Sequence, residues 1–124
     1  MNMRKIIKGD VNLYNLHLTK LLDLSDVEVR GAFNCSNNNL TSLEGCPHTV
    51  GNFICQGNKI TSLKGAPHTV RGGMSIGDCN DLISLEGIPK TVGVNFFITK
   101  TLKDKFPEEY IRGLCEIKGG VIYF

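Results

Sequence analysis

The chain predicts a parallel β-solenoid, in which short turns stack so that each adds one strand to a common sheet. Three observations predict it. Residues 40–50 read LTSLEGCPHTV, residues 60–70 ITSLKGAPHTV and residues 82–92 LISLEGIPKTV, so one segment recurs at offsets of 20 and 22 residues. A fixed period in this range marks stacked units rather than one core built from distant elements. The joining segments also align: VRGAFNC (29–35), VGNFIC (50–55), VRGGMSI (70–76) and VGVNFFI (92–98), with a decayed copy, VNLYNLHLTKL, at 11–21. Finally, Pro47, Pro67 and Pro89, three of the four prolines, fall in one column.

Each element follows from that alignment. The apolar pairs Val11/Leu13, Phe33/Cys35, Phe53/Cys55, Met74/Ile76 and Phe96/Ile98 have the period of a strand, two side chains inward around one outward. They predict a short parallel sheet of about five strands. The columns Leu18, Leu40, Ile60, Leu82 and Leu21, Leu43, Leu63, Leu85 supply the rest of the core. The Gly-x-Pro segments exclude a helix interior, because proline lacks an N–H and pushes its predecessor to extended conformations. The outer wall is therefore extended or made of short 3-10 turns. Asn38 and Asn58 are expected to turn inward and satisfy loop backbone groups. Residues 99–124 leave the repeat as a C-terminal cap. Pro107 stands at a first helical position with Glu108 and Glu109 in the first turn, and Gly113 ends the helix. CEIKGGVIYF reads as a hairpin about Gly119-Gly120. Leu102, Phe106, Tyr110, Ile111, Ile117 and Ile122 are the capping side chains, while Met3, Ile6 and Ile7 cover the other end thinly. The whole chain, 1–124, is one domain, with repeats over about 7–98.

The stretches Phe33-Asn34-Cys35-Ser36-Asn37-Asn38-Asn39-Leu40 and Phe53-Ile54-Cys55-Gln56-Gly57-Asn58-Lys59-Ile60 fit the pattern L-x-L-x-x-N/C-x-L. In the third copy, which has one extra residue, Cys79 stands where that pattern allows Asn or Cys. The chain thus resembles the leucine-rich repeat family, in its short 20–22-residue bacterial and bacteriophage form. The resemblance implies an extended outer wall and a binding face on the outward side of the strands. It also implies a small phage-encoded inhibitor that occupies the surface of a host or anti-phage defence protein. A scaffold does not name its target.

Chemistry is sparse. The 41% apolar and 21% charged composition describes a soluble globular chain. No apolar run approaches membrane-spanning length. The N-terminal MNMRKIIKGD has no apolar region of the kind a cleaved signal needs, so the cytoplasm, or a host cytoplasm, is the expected location. The five cysteines form no C-x-x-C. Cys35 and Cys55, on adjacent rungs, stand close enough for a bridge, but the odd count and the missing export signal favour five thiols. Cys115 is left as an exposed candidate. His48 and His68 repeat with the consensus and lack the further ligands a metal needs. No catalytic constellation, phosphate loop or metal cluster can be assembled, so the expectation is a protein that is not an enzyme and needs no cofactor.

What remains is the outward strand row, Asn12, Asn34, Ile54, Ser75 and Phe97, extended by Tyr14, Asn15, Ser36, Asn37, Gln56, Asp78, Thr99 and Lys100. The expected site residues are Asn12, Tyr14, Asn34, Ser36, Ile54, Gln56, Ser75, Phe97 and Lys100, with Ile54 and Phe97 as apolar anchors for a protein partner. The chain itself is expected as a monomer or homodimer. A nucleic-acid or nucleotide binder is the alternative, with Tyr14 and Phe97 for stacking beside Lys100, Lys103 and Lys105. Against it, the net charge is only +2 and acids interleave with the bases. A subunit that self-assembles through open solenoid ends is the third reading.

Overall fold

The computed structural model describes residues 5–124 and is a β-solenoid of ten strands in one wholly parallel sheet. Each turn crosses the sheet twice, making two ladders. The first ladder runs through β1 (Lys5–Ile7), the start of β3 (Val27–Asn34), the start of β4 (Thr49–Ile54), β5 (Thr69–Val70), β7 (Thr91–Val92) and β9 (Glu116–Ile117). The second contains β2 (Val11–Asn12), the ends of β3 and β4, β6 (Met74–Ile76), β8 (Phe96–Ile98) and β10 (Val121–Tyr123). The expected strand rungs are all in the second ladder. The first, carried by the column Val29, Val50, Val70, Val92 and Ile117, is not among the expected strands except for its last, β9, although those valines are part of the repeat.

The corner between the ladders explains a glycine in every turn that stacks on an earlier one. A Cβ on Gly51 would run into the Arg30 carbonyl oxygen, and one on Gly93 into that of Arg71. Successive turns are stacked there at backbone contact, and no side chain fits between them. On the far side, Gly45, Gly65 and Gly87 turn the wall with φ of +99°, +93° and +91°, a region closed to most L-residues. The wall between these turns consists of turns and bends without a helix, and the one 3-10 segment among the described residues, Lys100–Leu102, lies beyond it.

Inside, side chains stack in files. Phe33, Phe53 and Phe96, and Leu43, Leu63 and Leu85, are all at most 1% exposed. Asn38 and Asn58 are buried as expected and tie each turn to the one before. Asn38 Nδ2 donates to the Leu13 carbonyl at 2.8 Å, and Asn58 Nδ2 to that of Cys35 at 3.0 Å. Cys79 holds the same place in the next turn, its thiol donating to the Cys55 carbonyl at 3.2 Å.

The two ends depart from expectation. Helix α1 spans Glu108–Leu114, with Pro107 as its N-cap rather than inside it and Gly113 within the last turn. Leu102, Phe106, Ile111 and Ile117 cover the last rung, but Tyr110 and Ile122 are 48% and 37% exposed. CEIKGGVIYF makes two strands and no hairpin. Strand β9 pairs parallel with β7, and β10 pairs parallel with β8. Glycines 119 and 120 form the same corner as Gly93, because a parallel partner on the preceding turn supplies hydrogen bonds that a two-residue reversal would have had to make internally. At the other end, Ile6 and Ile7 do not fold over the first rung. They lie in β1, itself an exposed outer rung on β3. Met3, named with them, lies outside the described residues. No helix among the described residues is long and apolar enough to cross a membrane.

Candidate functional site

The second ladder turns one row of side chains outward. Asn12, Asn34, Ile54, Ser75, Phe97 and Ile122 are register neighbours from β2 to β10. Two residues further along each turn lies a second row, Tyr14, Ser36, Gln56, Gly77, Thr99 and Phe124. No residue of either row is charged, in a chain of 14 basic and 12 acidic side chains. Charges gather instead on the outer side of the first ladder, where Glu28 lies 3.1 Å from Arg71 and 3.5 Å from Arg30.

The N-terminal half of the face is polar and occupied with its own backbone. Asn12 Oδ1 accepts from the Tyr14 N–H and Asn34 Oδ1 from the Ser36 N–H, each at 3.0 Å. Asn37 Nδ2 donates to the Tyr14 hydroxyl at 3.0 Å. Asn15, Asn37, Gly57 and Asp78 form one column with φ of 54°, 54°, 62° and 54°. Asn, Asp and Gly are the residues that enter the left-handed region at least cost, so backbone need accounts for this column. Ser36 is not a surface contact. It is 4% exposed, and its Oγ accepts from the Gln56 N–H at 2.9 Å.

The C-terminal half is apolar. Ile54, Gln56, Ser75, Phe97, Ile122 and Phe124 line an open groove of about 450 Å³. A recess of about 170 Å³ continues it past Asn52 and Gly73. The Phe97 and Phe124 rings meet edge to face, centroids 5.9 Å apart. The Phe124 ring lies directly over Gly77, where a Cβ would come within 2.5 Å of it. Ser75 points outward in register but is only 9% exposed, its Oγ accepting from Gln56 Nε2 at 2.8 Å. The polar groups in the groove thus bond to each other, and the open surface is left to four apolar side chains.

Four of the nine expected site residues meet in this groove: Ile54, Gln56, Ser75 and Phe97. Asn12, Tyr14, Asn34 and Ser36 lie along the polar half, and exposed Lys100 begins the 3-10 turn beyond the face. Ile122 and Phe124 are not among the nine, because a hairpin in the tail would carry them away from the face. Their signal is nonetheless in the sequence: Ile117 to Tyr123 repeats the apolar spacing of Val92 to Ile98, with which it pairs in register.

Other clusters offer less. A recess of about 490 Å³ on the wall of the first turns includes Asp23. That carboxylate accepts from the Ser25 hydroxyl at 2.6 Å and the Ser25 N–H at 3.0 Å, which hold its pKa below the ordinary value. The five cysteines are free thiols and all buried, Cys115 included. Burial, with Glu116 nearby, pushes the Cys115 thiol up to about 11. Burial also raises Cys46, while a hydrogen bond with a neighbouring cysteine that favours the protonated thiol raises Cys55 and Cys79, so these sulfurs resist becoming nucleophilic thiolates. The His48 and His68 rings stack at 4.9 Å, each with Nδ1 against the next threonine hydroxyl. No group of three or more His, Cys, Asp or Glu among the described residues is placed to hold a metal ion.

Compared with protein-family models, curated proteins and solved structures, the chain matches none.

Proposed function

We propose that the chain is a non-catalytic protein-binding module of the leucine-rich repeat kind, engaging its partner through the C-terminal half of the strand face. The single observation that carries this reading is the uncharged double row whose apolar end is the groove of Ile54, Phe97, Ile122 and Phe124. Buried aromatic and aliphatic anchors dominate interface energy, and an uncharged surround lets water leave without stranding an unpaired ion. The same neutrality disfavours nucleic acid, whose phosphates call for a basic track. In line with the repeat's likeness to phage sequences, the partner is a host or defence protein held inactive by occupation of its surface.

The test is capture of a partner from host lysate with wild type, Phe97→Ala, Phe124→Ala and Lys64→Ala, the last on the exposed outer wall. Each groove variant should weaken binding by about 2 kcal/mol with the thermal midpoint of the free protein close to wild type, and Lys64→Ala should bind normally. Normal capture by both groove variants refutes the assignment. Loss on Lys64→Ala would move the site to the wall.

A further inference from the structure

We propose that β10 is an interface between two copies of this chain, paired antiparallel about a two-fold axis at Ile122. Strand β10 ends its ladder, with β8 on one side and, among the described residues, no strand on the other. Its hydrogen bonds show which groups are free. The Phe96 N–H donates to the Gly120 carbonyl at 2.9 Å, the Phe124 N–H to that of Ile98 at 3.1 Å, and the Lys100 N–H to that of Phe124 at 2.9 Å. Residues 120, 122 and 124 therefore turn their backbone toward β8, and Val121 and Tyr123 turn N–H and C=O outward.

That pattern is self-complementary. In an antiparallel pair, residues of the hydrogen-bonded kind exchange both N–H···O bonds with the residue opposite. Centring the axis on Ile122 sets Val121 against Tyr123 of the second copy and Tyr123 against its Val121, so all four outward groups find partners. It also sets Ile122 against its own copy in a non-hydrogen-bonded pair, with Cβ atoms about 4.5–5.5 Å apart. The two neutral faces then join into one apolar stripe. A two-fold axis closes after two chains, which gives a dimer and not a fibre.

Charge selects this edge over the other. Exposed strand edges are ordinarily defended by charged side chains, lysine above all. At the opposite end, β1 carries Lys5 and is followed by Lys8, which a symmetric pairing would bring toward like charges. From Gly119 to Phe124 no side chain is charged, and the cations beside β10 are engaged within the chain, Lys103 Nζ 5.4 Å from the Tyr123 ring centroid and Arg112 on the Ile117 and Gly119 carbonyls; Ile122 and Phe124 are 37% and 54% exposed. This inference needs no outside partner and stands or falls apart from the binding assignment above.

The test is made on the full chain alone. Ile122→Cys adds an exposed thiol to a protein whose own five are buried. Diamide, an azo oxidant that takes up the two protons and two electrons, should convert most of this variant to a disulfide-linked dimer. Wild type, and Leu114→Cys on the exposed face of α1, should stay uncrosslinked. In sedimentation velocity, wild type should run as a dimer, and Ile122→Lys should weaken association about tenfold or more by placing like charges on the axis. Its far-ultraviolet circular dichroism should remain that of wild type. A monomeric wild type overturns the proposal, as does crosslinking of Ile122→Cys no greater than that of Leu114→Cys. The first of these is also the result expected if the free edge instead accepts an extended segment of another protein.

Discussion

Asn38, Asn58 and Cys79 occupy one position in three turns and meet one need, the carbonyl left at the end of the preceding strand. The amide does more than the thiol, because its oxygen also accepts. Asn58 Oδ1 takes the Leu40 N–H at 3.1 Å, and Asn38 Oδ1 takes those of Leu16 and Leu18 at 2.9 Å. Asn58→Ala strands the buried Leu40 N–H, while the Cys35 carbonyl keeps its bond from Asn38 Nδ2 at 3.0 Å, and should cost about 1–3 kcal/mol. Asn58→Cys should restore part of that, since the thiol can give the carbonyl back its second bond but leaves the Leu40 N–H unpaired. Urea unfolding of the three proteins checks the order. A loss under about half a kcal/mol for Asn58→Ala would show that the amide is not a structural tie.

At the scale of the element, the corner sets how closely turns can stack. Gly93 and Gly51 sit against the carbonyl of the turn before, whereas Gly9, in the first turn, has nothing within 4 Å of a would-be Cβ. Gly93→Ala must push apart neighbouring rungs of both ladders and should cost about 3 kcal/mol or more, above the usual range for overpacking because the obstacle is backbone. Gly9→Ala should fall within about 0.5 kcal/mol of wild type. Thermal unfolding of these variants distinguishes close approach from a general glycine effect. Comparable losses at both sites would contradict the packing argument. The corner was legible only as a recurring glycine, since nothing in one dimension shows what a Cβ would strike.

For the whole molecule, the buried thiols make stability a function of pH. The ordinary cysteine value is 9.0, and folding raises Cys115 to about 11 and drives Cys46, Cys55 and Cys79 upward as well. A group raised by folding contributes its full stability below the unfolded value and loses it as pH climbs through the folded one. Between those limits the unfolded chain has released protons that the native chain still holds, so unfolding becomes easier with each step in pH. The urea midpoint should therefore be level near neutrality and fall above about pH 9. Cys115→Ala should shallow that fall. A Cys115→Ala profile parallel to wild type would mean that this thiol ionises alike in both states.

By itself the sequence determined the solenoid, its second ladder of strands, the inward leucine and phenylalanine files, the buried asparagines and two apolar residues that line the candidate groove. These are periodic, local requirements, and repetition in the chain displays them directly: a side chain must face in or out, a proline must leave the helix, an amide must meet a loop. Only the tertiary structure decided what depends on a neighbour turn. The tail from Glu116 to Tyr123 has the spacing of a repeat and also the Gly-Gly of a hairpin, and the parallel partners waiting on β7 and β8 settle it. That choice brings Ile122 and Phe124 beside Phe97 and completes the groove. The stacking of turns likewise makes Ser36 and Ser75 interior in effect, because Gln56, one turn away from each, bonds to both. Such hydrogen bonds run between turns some twenty residues apart, and no local spacing carries them.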